Sequence, residues 1–378
     1  MDATICDITA LRYWRIPPVV QLLAAAPDAD RRLAAVLTDY DFEQLFAAFV
    51  SARDRFKKKH CGHAGGAYRA LMEATPLLSL CGDGPFDVLC TYKGEIHESQ
   101  LIKPRLWSSA LPPGAVRQIT DSLGATSPEF TLQQLATRDS FERTVVLATE
   151  LCGSFSVYHV PEPMAGIIQR LSDSRRLPNI GGWSPCLDPS GKVTDLWSHE
   201  PLTKPADLRH LAETTDSPRG RDQLARAAKY VVGGAASPFE AQAGILLGLP
   251  VRCGGAGLGG FEHNKRIGFT SDAALIAQRD WCYCDLYWDE GVDLECHSKT
   301  WHAALDGQLS DFTREAALDL MGIDVVPVTY DQLGSKRQFD AIARVVARKL
   351  GRKARVKSGA EHAAEARLRE EVLGFEWH

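Results

Sequence analysis

Hydrophobic and polar residues alternate along two short segments near residue 290, and this alternation predicts a β-hairpin. Trp281–Trp288 and Val292–His297 are rich in aromatic and β-branched residues, and the loop between them, residues 289–291, ends in glycine. A loop of three residues places Asp285 opposite Glu295 across the two strands.

The predicted hairpin has one polar and one apolar face, because successive side chains of a strand point to opposite sides of the sheet. The polar face carries Asp285, Glu295, His297 and Lys299. The apolar face carries Cys284, Leu286, Trp288, Val292, Leu294 and Cys296. We interpret Cys282 and Cys284 as core residues and not as zinc ligands, since Cys-x-Cys on one strand face is typical of core packing.

Helical periodicity flanks the hairpin on both sides. Upstream, Ser237 stands at an N-cap position before a proline, and Glu240 completes a capping-box pattern. Downstream, residues 306–321 have apolar positions at helical spacing, and residues 323–328 form a short apolar strand. With a further strand around Ile267, the order is helix, strand, strand, strand, helix, strand. This order predicts a mixed sheet flanked by helices.

The rest of the chain predicts a second α/β unit and a connecting region. Residues 1–160 contain the strand pattern 86–90 and a helix capped by Ser127, and we expect an N-terminal α/β accessory domain there. Proline and glycine punctuate residues 161–216, which is typical of connecting structure. The hairpin belongs to the third segment, 217–378. We therefore predict a two-domain α/β fold of the α+β kind, since 378 residues exceed one typical core.

Composition favours a cytoplasmic protein. No apolar run is long enough to span a membrane, and residues 1–16 lack the basic and apolar regions of a secretory signal. The ten cysteines do not have the spacing of a disulfide framework, which indicates reduced thiols.

Charge is distributed unevenly along the chain. The net charge of −5 does not by itself indicate nucleic-acid binding, but residues 336–357 carry nine Lys or Arg against one acid, Asp340. A basic helix of this kind can neutralise phosphates. The DNA-binding candidates within it are Arg348, Lys349, Arg352 and Lys353. The alternative is a solvated helix face.

The polar face of the hairpin has the residue types of a divalent-metal site. Mg²⁺ prefers oxygen ligands and is usually held by one or two carboxylates plus substrate phosphate oxygens. A metal between Asp285 and Glu295 polarises a phosphodiester and lowers the pKa of a bound water, and a nearby His297 or Lys299 can orient that water. The alternative is that these acids only solvate the outer face of an amphipathic hairpin.

In their order and spacing, these elements resemble the PD-(D/E)xK nuclease superfamily, in the branch similar to the very-short-patch repair endonucleases. The matching residues lie in SPFE, CDLYW, DLECHSKTWH and DFTRE, and they are Glu240, Asp285, Glu295, His302, Asp311 and Arg314. The resemblance covers roughly residues 217–333. The N-terminal half is more weakly similar to AbiEi-type abortive-infection antitoxins.

The resemblance implies a restriction-endonuclease-like domain that cleaves duplex DNA with Mg²⁺ or Mn²⁺, in bacterial DNA repair or phage defence. It implies that Asp285 and Glu295 hold the metal, while Glu240 completes the shell or holds an attacking water. It also implies that Arg314 contacts a phosphate or braces an acid.

The chain departs from the pattern of the family just after Glu295. The residue two positions on, which is Lys in most of the superfamily and often Asp in this branch, is His297, and Lys299 lies two residues further. His297, Lys299 and His302 are thus three candidates for orienting water or phosphate. The open alternative is a non-catalytic DNA-binding or antitoxin-like regulator that retains the nuclease fold.

Overall fold

The computed structural model describes residues 2–59, 65–297, 305–353 and 357–377, without the side chains of Lys59 and of residues 305–311. Helices and mixed β-sheets occur together throughout these ranges, which confirms the predicted α+β class. No described helix combines the length and the apolar character needed to cross a membrane.

A five-stranded mixed sheet organises the N-terminal part. Its strands are β1 (Ala3–Ile5), β2 (Phe86–Cys90), β3 (Ile102–Leu106), β4 (Val116–Gln118) and β5 (Leu123–Thr126), in the order β3-β2-β1-β5-β4. The helices are α1 (Asp7–Arg15), α2 (Pro18–Ala25), α3 (Arg31–Ala34), α4 (Asp39–Lys59), α5 (Gly66–Glu73), α6 (Thr75–Leu78), α7 (Pro128–Leu135) and α8 (Phe141–Leu151). The predicted strand at 86–90 is β2, and the predicted cap Ser127 begins α7 by accepting a hydrogen bond from the Phe130 N–H.

The segment predicted as connecting structure contains regular elements. They are α9 (Met164–Asp173), β7 (Ser184–Leu187), β8 (Val193–Ser198) and α10 (Pro205–Thr214). β8 pairs with β7 and with β6 (Phe155–Val157), giving an antiparallel sheet in the order β6-β8-β7. Because β6 lies before residue 160 and β8 after it, this sheet joins the accessory domain to the connecting segment.

The C-terminal part contains the helix and strand order predicted from the sequence. It begins with α11 (Arg221–Ala228), α12 (Pro238–Gly248), β9 (Phe261–Gly268), α13 (Ser271–Ala277), β10 (Trp281–Trp288) and β11 (Val292–His297). It continues with α14 (Leu305–Leu320), β12 (Asp324–Thr329), α15 (Tyr330–Gly334), α16 (Lys336–Lys349) and α17 (Gly359–Leu373). The sheet order is β12-β11-β10-β9, with β11 parallel to β12 and the other neighbours antiparallel. The short helix α13 was not predicted.

The hairpin has the predicted register next to its loop. Trp288 lies opposite Val292 and Leu286 opposite Leu294, so the loop has three residues, but the predicted pair of Asp285 with Glu295 is not formed. Gly291 closes this loop with a φ of 79°, a left-handed conformation that glycine adopts without a steric penalty.

Helix α12 packs closely on β9. Its residues from Phe239 to Leu247 are all buried, as expected for a helix that is apolar on every side. A Cβ atom on Gly244 would lie 2.6 Å from the His263 ring, and one on Gly248 would lie 2.9 Å from the Phe261 ring. The two glycines therefore permit the close approach that brings the start of α12 to the centre of the sheet.

The largest hydrophobic core covers one face of the C-terminal sheet and extends into the N-terminal half. It includes Leu286, Trp288 and Leu294 from the sheet, together with residues of α12, α16 and α17, and also Val146 and Leu151 of α8. A second core fills the N-terminal half around β1 and α2. A smaller cluster covers the other face of the C-terminal sheet, beneath α14.

Candidate functional site

The central strands of the C-terminal sheet, β10 and β11, separate at Asp285. The residue pairs between them end at Leu286 and Leu294. At the next position Asp285 Oδ2 accepts a hydrogen bond from the backbone N–H of Cys296, 2.7 Å away. A side-chain carboxylate thus satisfies a backbone donor between the two strands, and its orientation is fixed by that contact.

The pairing of β10 with β9 is interrupted at the same residue. Each residue of β10 except Asp285 has a partner in β9. The residue in register with it, Asn264, has a φ of 50°, a left-handed conformation that Asn tolerates better than most side chains. The Asn264 side-chain amide donates to Glu240 Oε2 at 2.6 Å. An irregular position in β9 therefore connects the start of α12 with the sheet.

The predicted alternation of side chains fails at Asp285. Leu286 packs into the largest core, whereas Cys284 packs on the other face with Cys282 and Leu318. The prediction that Cys284 and Leu286 share an apolar face is wrong, because the interruption at Asp285 changes which side of the sheet the earlier residues of β10 face.

Cys284, Asp293 and Glu295 come together on the face beneath α14. One ligand atom from each, the Cys284 Sγ and one carboxylate oxygen from each acid, lie within 4.8 Å of one another. All three residues are buried, and Asp293 is 0% exposed. Within the described part of the chain, this is the group of at least three such residues whose donor atoms lie close enough for a shared metal ion.

The hydrogen bonding of the two acids is incomplete. No backbone amide, basic side chain or alcohol of the described residues donates to either carboxylate oxygen of Asp293, or to Glu295 Oε1. The hydrogen-bonding neighbours of Asp293 are the Glu295 carboxyl and the Cys284 thiol. Glu295 Oε2 accepts from Arg314 Nη2 at 2.7 Å. Of the two roles implied for Arg314, bracing an acid is therefore the one observed.

Burial raises the pKa of each acid near the separation of the strands. Burial, followed by the nearby charge of Asp293, raises the pKa of Glu295 to about 9. Burial raises the pKa of Asp293 to about 6. For Asp285, burial and the charges of Glu295 and Glu240 raise the pKa well above its usual range. Each of these carboxylates would be stabilised in its ionised form by a nearby cation.

Glu240 lies at the start of α12, as predicted, but both of its carboxylate oxygens already have partners. Oε2 accepts from the Ala236 N–H at 2.8 Å and from Asn264, while Oε1 is 2.8 Å from Ser237 Oγ. Ser237 in turn caps the helix by accepting from the Glu240 N–H. Burial raises the pKa of Glu240. These contacts give Glu240 a positioning role beside Asp285.

The structure describes one of the three candidates for orienting water. His297 is half-buried at the end of β11, two residues after Glu295 and in register with Thr329 of β12. The other two, Lys299 and His302, lie outside the described residues.

The basic segment is helical from Lys336 to Lys349, whereas Arg352 and Lys353 lie beyond the end of the helix, so the prediction of one basic helix holds only in part. Part of the charge of the segment is neutralised within the protein. Lys349 pairs with Asp324, and Arg352 donates to Glu290 at 2.9 Å and to the Gly259 carbonyl at 2.8 Å. In the described ranges, Arg344, Arg348 and Lys353 form no ion pair. The basic residues Lys336, Arg344, Arg352, Lys353 and Lys357 line a cavity of about 540 Å³ between α16, residues 251–258 and the start of α17.

This basic cavity does not include the acids of the sheet. Helix α16 packs through Phe339 and Val346 into the largest core, whereas Asp293 and Glu295 lie on the face covered by α14. A ligand that contacts both groups must therefore extend around an end of the sheet.

Asp293 and Cys284 were not predicted as site residues. The sequence could have indicated Asp293, because Asp293, Glu295 and His297 occupy alternate positions of β11 and therefore share one face. For Cys284 the sequence offered only the Cys-x-Cys pattern, which we interpreted as core, because its position beside the acids depends on the interruption at Asp285.

Comparisons of the chain with known protein families, with curated proteins and with solved structures find no match.

Proposed function

We propose that this protein is a metal-dependent DNA endonuclease of the PD-(D/E)xK type, in which Asp285 and Glu295 hold Mg²⁺ or Mn²⁺. The observation that carries the proposal is the group of buried acids where β10 and β11 separate. Burial raises the pKa of both Asp285 and Glu295, so each is unfavourable as an anion unless a nearby cation compensates it. The residues present therefore fit a divalent cation.

The residues where β10 and β11 separate have different chemical roles in the proposal. A divalent cation there supplies a Lewis acid for the phosphodiester and lowers the pKa of a bound water. The Cys296 N–H orients Asp285, and Arg314 orients Glu295, so both carboxylates have fixed directions. His297 is a proton acceptor two residues along the same strand, with Lys299 and His302 as the other candidates.

The order of elements supports the same class of protein. Helix α12, strands β9, β10 and β11, helix α14 and strand β12 follow the αβββαβ order that the resemblance implies, with α13 inserted after β9. The acids lie on the strands and at the helix start that the resemblance assigns to them: Glu240, Asp285 and Glu295.

Surface features favour DNA as the substrate. Arg348 and Lys353 offer positive charge for phosphates at the C-terminal end of α16. At the start of β10, the side chains of Trp281 and Tyr283 are exposed, and the Arg266 guanidinium lies 4.7 Å from the centre of the Trp281 ring. Exposed aromatic rings beside arginine are a surface on which bases can stack.

A second candidate is a non-catalytic DNA-binding regulator. It is favoured by the saturation of Glu240, the Arg314 contact to Glu295 and the presence of His297 where most of the superfamily has lysine. In such a protein the ion pair between Arg314 and Glu295 would stabilise the fold, and DNA would bind through the basic residues alone.

DNA cleavage distinguishes the two candidates. Plasmid and oligonucleotide duplexes are incubated with the full chain in Mg²⁺, Mn²⁺ or a chelator. We expect cleavage with a metal and none with the chelator, and a loss of at least about 100-fold in Glu295→Gln and Asp285→Asn.

The matched control is Asp289→Asn, which changes an exposed acid in the loop of the same hairpin. This variant should cut as well as the parent chain. DNA binding without cleavage in any metal would establish the regulator, and equal cleavage by Glu295→Gln would place the active site elsewhere.

A further inference from the structure

The Cys284–Asp293–Glu295 cluster contains a buried carboxylate that the proposed Mg²⁺ site does not use. Asp293 is 0% exposed, and within the described part of the chain its hydrogen-bonding neighbours belong to the cluster itself, the Glu295 carboxyl and the Cys284 thiol. Its close neighbours are a thiol and a second carboxylate. Burying a charge in such surroundings is strongly unfavourable unless a cation lies against it.

Arg314 compensates this charge only at a distance. Its positive charge favours the ionised form of Asp293, but its guanidinium donates to Glu295 Oε2 and leaves both oxygens of Asp293 without a basic hydrogen-bond donor. The contact instead fixes the Glu295 carboxylate, as residues behind a metal ligand commonly do. The donor atoms of Cys284, Asp293 and Glu295 are therefore already close together before a metal binds.

The chemistry of the donors selects the kind of cation. Mg²⁺ takes oxygen ligands and keeps several waters, which suits a pair of carboxylates such as Asp285 and Glu295. Thiolates favour zinc and other thiophilic metals, which also accept carboxylate oxygens. Three protein donors, one of them sulfur, match the ligand number of many zinc sites that keep a fourth position open.

We propose that Cys284, Asp293 and Glu295 bind a thiophilic divalent cation of the Zn²⁺ class, deeper in the protein than the cation of the nuclease proposal. The inference rests on the proposed function in one respect, since Glu295 is shared between the two positions. Binding requires the Cys284 thiolate and the Glu295 carboxylate. The thiol proton therefore leaves to solvent as the metal–sulfur bond forms, and the proton held by Glu295 leaves to solvent as its oxygen binds the metal.

Cobalt binding tests this assignment directly. The full chain is stripped with a chelator and titrated with Co²⁺, whose bond to a thiolate gives a charge-transfer absorption in the near ultraviolet. We expect one Co²⁺ per chain with this absorption, displaced by Zn²⁺ but not by an excess of Mg²⁺.

Matched cysteine variants locate the sulfur ligand. Cys284→Ser should lose the absorption and bind Co²⁺ roughly 100-fold more weakly or worse, because a first ligand matters at least as much as the residues behind it. Cys282→Ser should keep both, since Cys282 lies outside the donor cluster and a serine hydroxyl can replace its hydrogen-bonding contact with Cys284. An equal absorption in Cys284→Ser would overturn the proposal.

A measurement on the unmodified chain covers the case in which Cys284→Ser does not fold. X-ray absorption of the Zn²⁺-loaded protein should show one sulfur and the remainder oxygen or nitrogen around zinc. A shell without sulfur would overturn the proposal as well.

The outcomes separate this proposal from the nuclease proposal. Thiolate-bound Co²⁺ in a chain that cuts no DNA in any metal supports the cluster and rejects the nuclease. Cleavage with Mg²⁺ in a chain that binds no Co²⁺ through sulfur rejects the cluster and supports the nuclease.

Discussion

At Asp293 a carboxylate lies in the protein interior next to a second acid and a thiol, with no backbone amide, basic side chain or alcohol of the described residues donating to it. Proteins tolerate such a group where it has a function that offsets its effect on stability. The same physical feature therefore has two consequences: lower stability without a cation and affinity for one when it is present.

Asp293→Asn tests whether the buried carboxylate lowers the stability of the metal-free protein. Replacing the carboxylate by an amide of the same shape removes the buried charge, so the unfolding free energy of metal-free protein should rise by about 1–3 kcal/mol. Thermal or denaturant unfolding after chelation measures this. The exposed control Asp289→Asn should change stability by less than about 0.5 kcal/mol. A less stable Asp293→Asn variant would show that Asp293 contributes a favourable contact in the metal-free fold.

At the scale of an element, α16 shows that a basic sequence segment can contain cations with different roles. Lys349 and Arg352 connect the helix and the residues after it to Asp324, Glu290 and Gly259. Lys353 has no such partner among the described residues, and Arg344 and Arg348 do not either. The four residues predicted to bind DNA therefore divide into a bracing pair and a pair available for phosphates.

Two double variants separate these roles. Arg348→Gln with Lys353→Gln should weaken binding to any duplex and reduce the slope of log affinity against log salt by about 0.9 for each lost phosphate contact. Sequence preference should not change, because phosphate contacts carry no base information. Equilibrium binding at several salt concentrations measures both quantities.

The matched control is Lys349→Gln with Arg352→Gln, which removes the same charge from the bracing pair. It should lower the salt slope less than the first variant does, while lowering the melting temperature more. Equal slopes for both variants and the parent chain would show that this segment is a solvated surface.

At the scale of the whole molecule, the C-terminal half shares its main core with residues that precede it. Helix α8 packs in that core, and Arg143 at its start donates to Glu371 of α17 at 3.0 Å. The Phe155 and Trp377 rings also lie 5.4 Å apart, between centres. A boundary at residue 216 thus divides the chain in sequence but passes through a shared core.

Expression of residues 217–378 alone tests that division. Without α8 and its neighbours the largest core is exposed on one side, so we expect the fragment to aggregate or to unfold without a cooperative transition. Co-expression with residues 1–216 should restore a folded complex. A cooperative thermal transition of the isolated fragment would instead establish an independent domain.

Local sequence patterns predicted much of the scaffold around the site. Alternation and a glycine-ended loop predicted the hairpin and its register, and the Ser237–Glu240 pattern predicted the start of α12. Helical and strand periods predicted α14 and β12 to within one residue at each end. These features depend on interactions between residues close in sequence, which is why the sequence alone determines them.

The composition of the candidate site was decided only by the tertiary structure. The left-handed conformation of Asn264 and the bond from the Cys296 N–H to Asp285 interrupt β10, and that interruption moves Cys284 to the face of Asp293 and Glu295. The role of Arg314 likewise depends on a contact across 19 positions of the chain. No periodic pattern encodes such contacts, because they are made between elements that meet only after the sheet and its helices have packed.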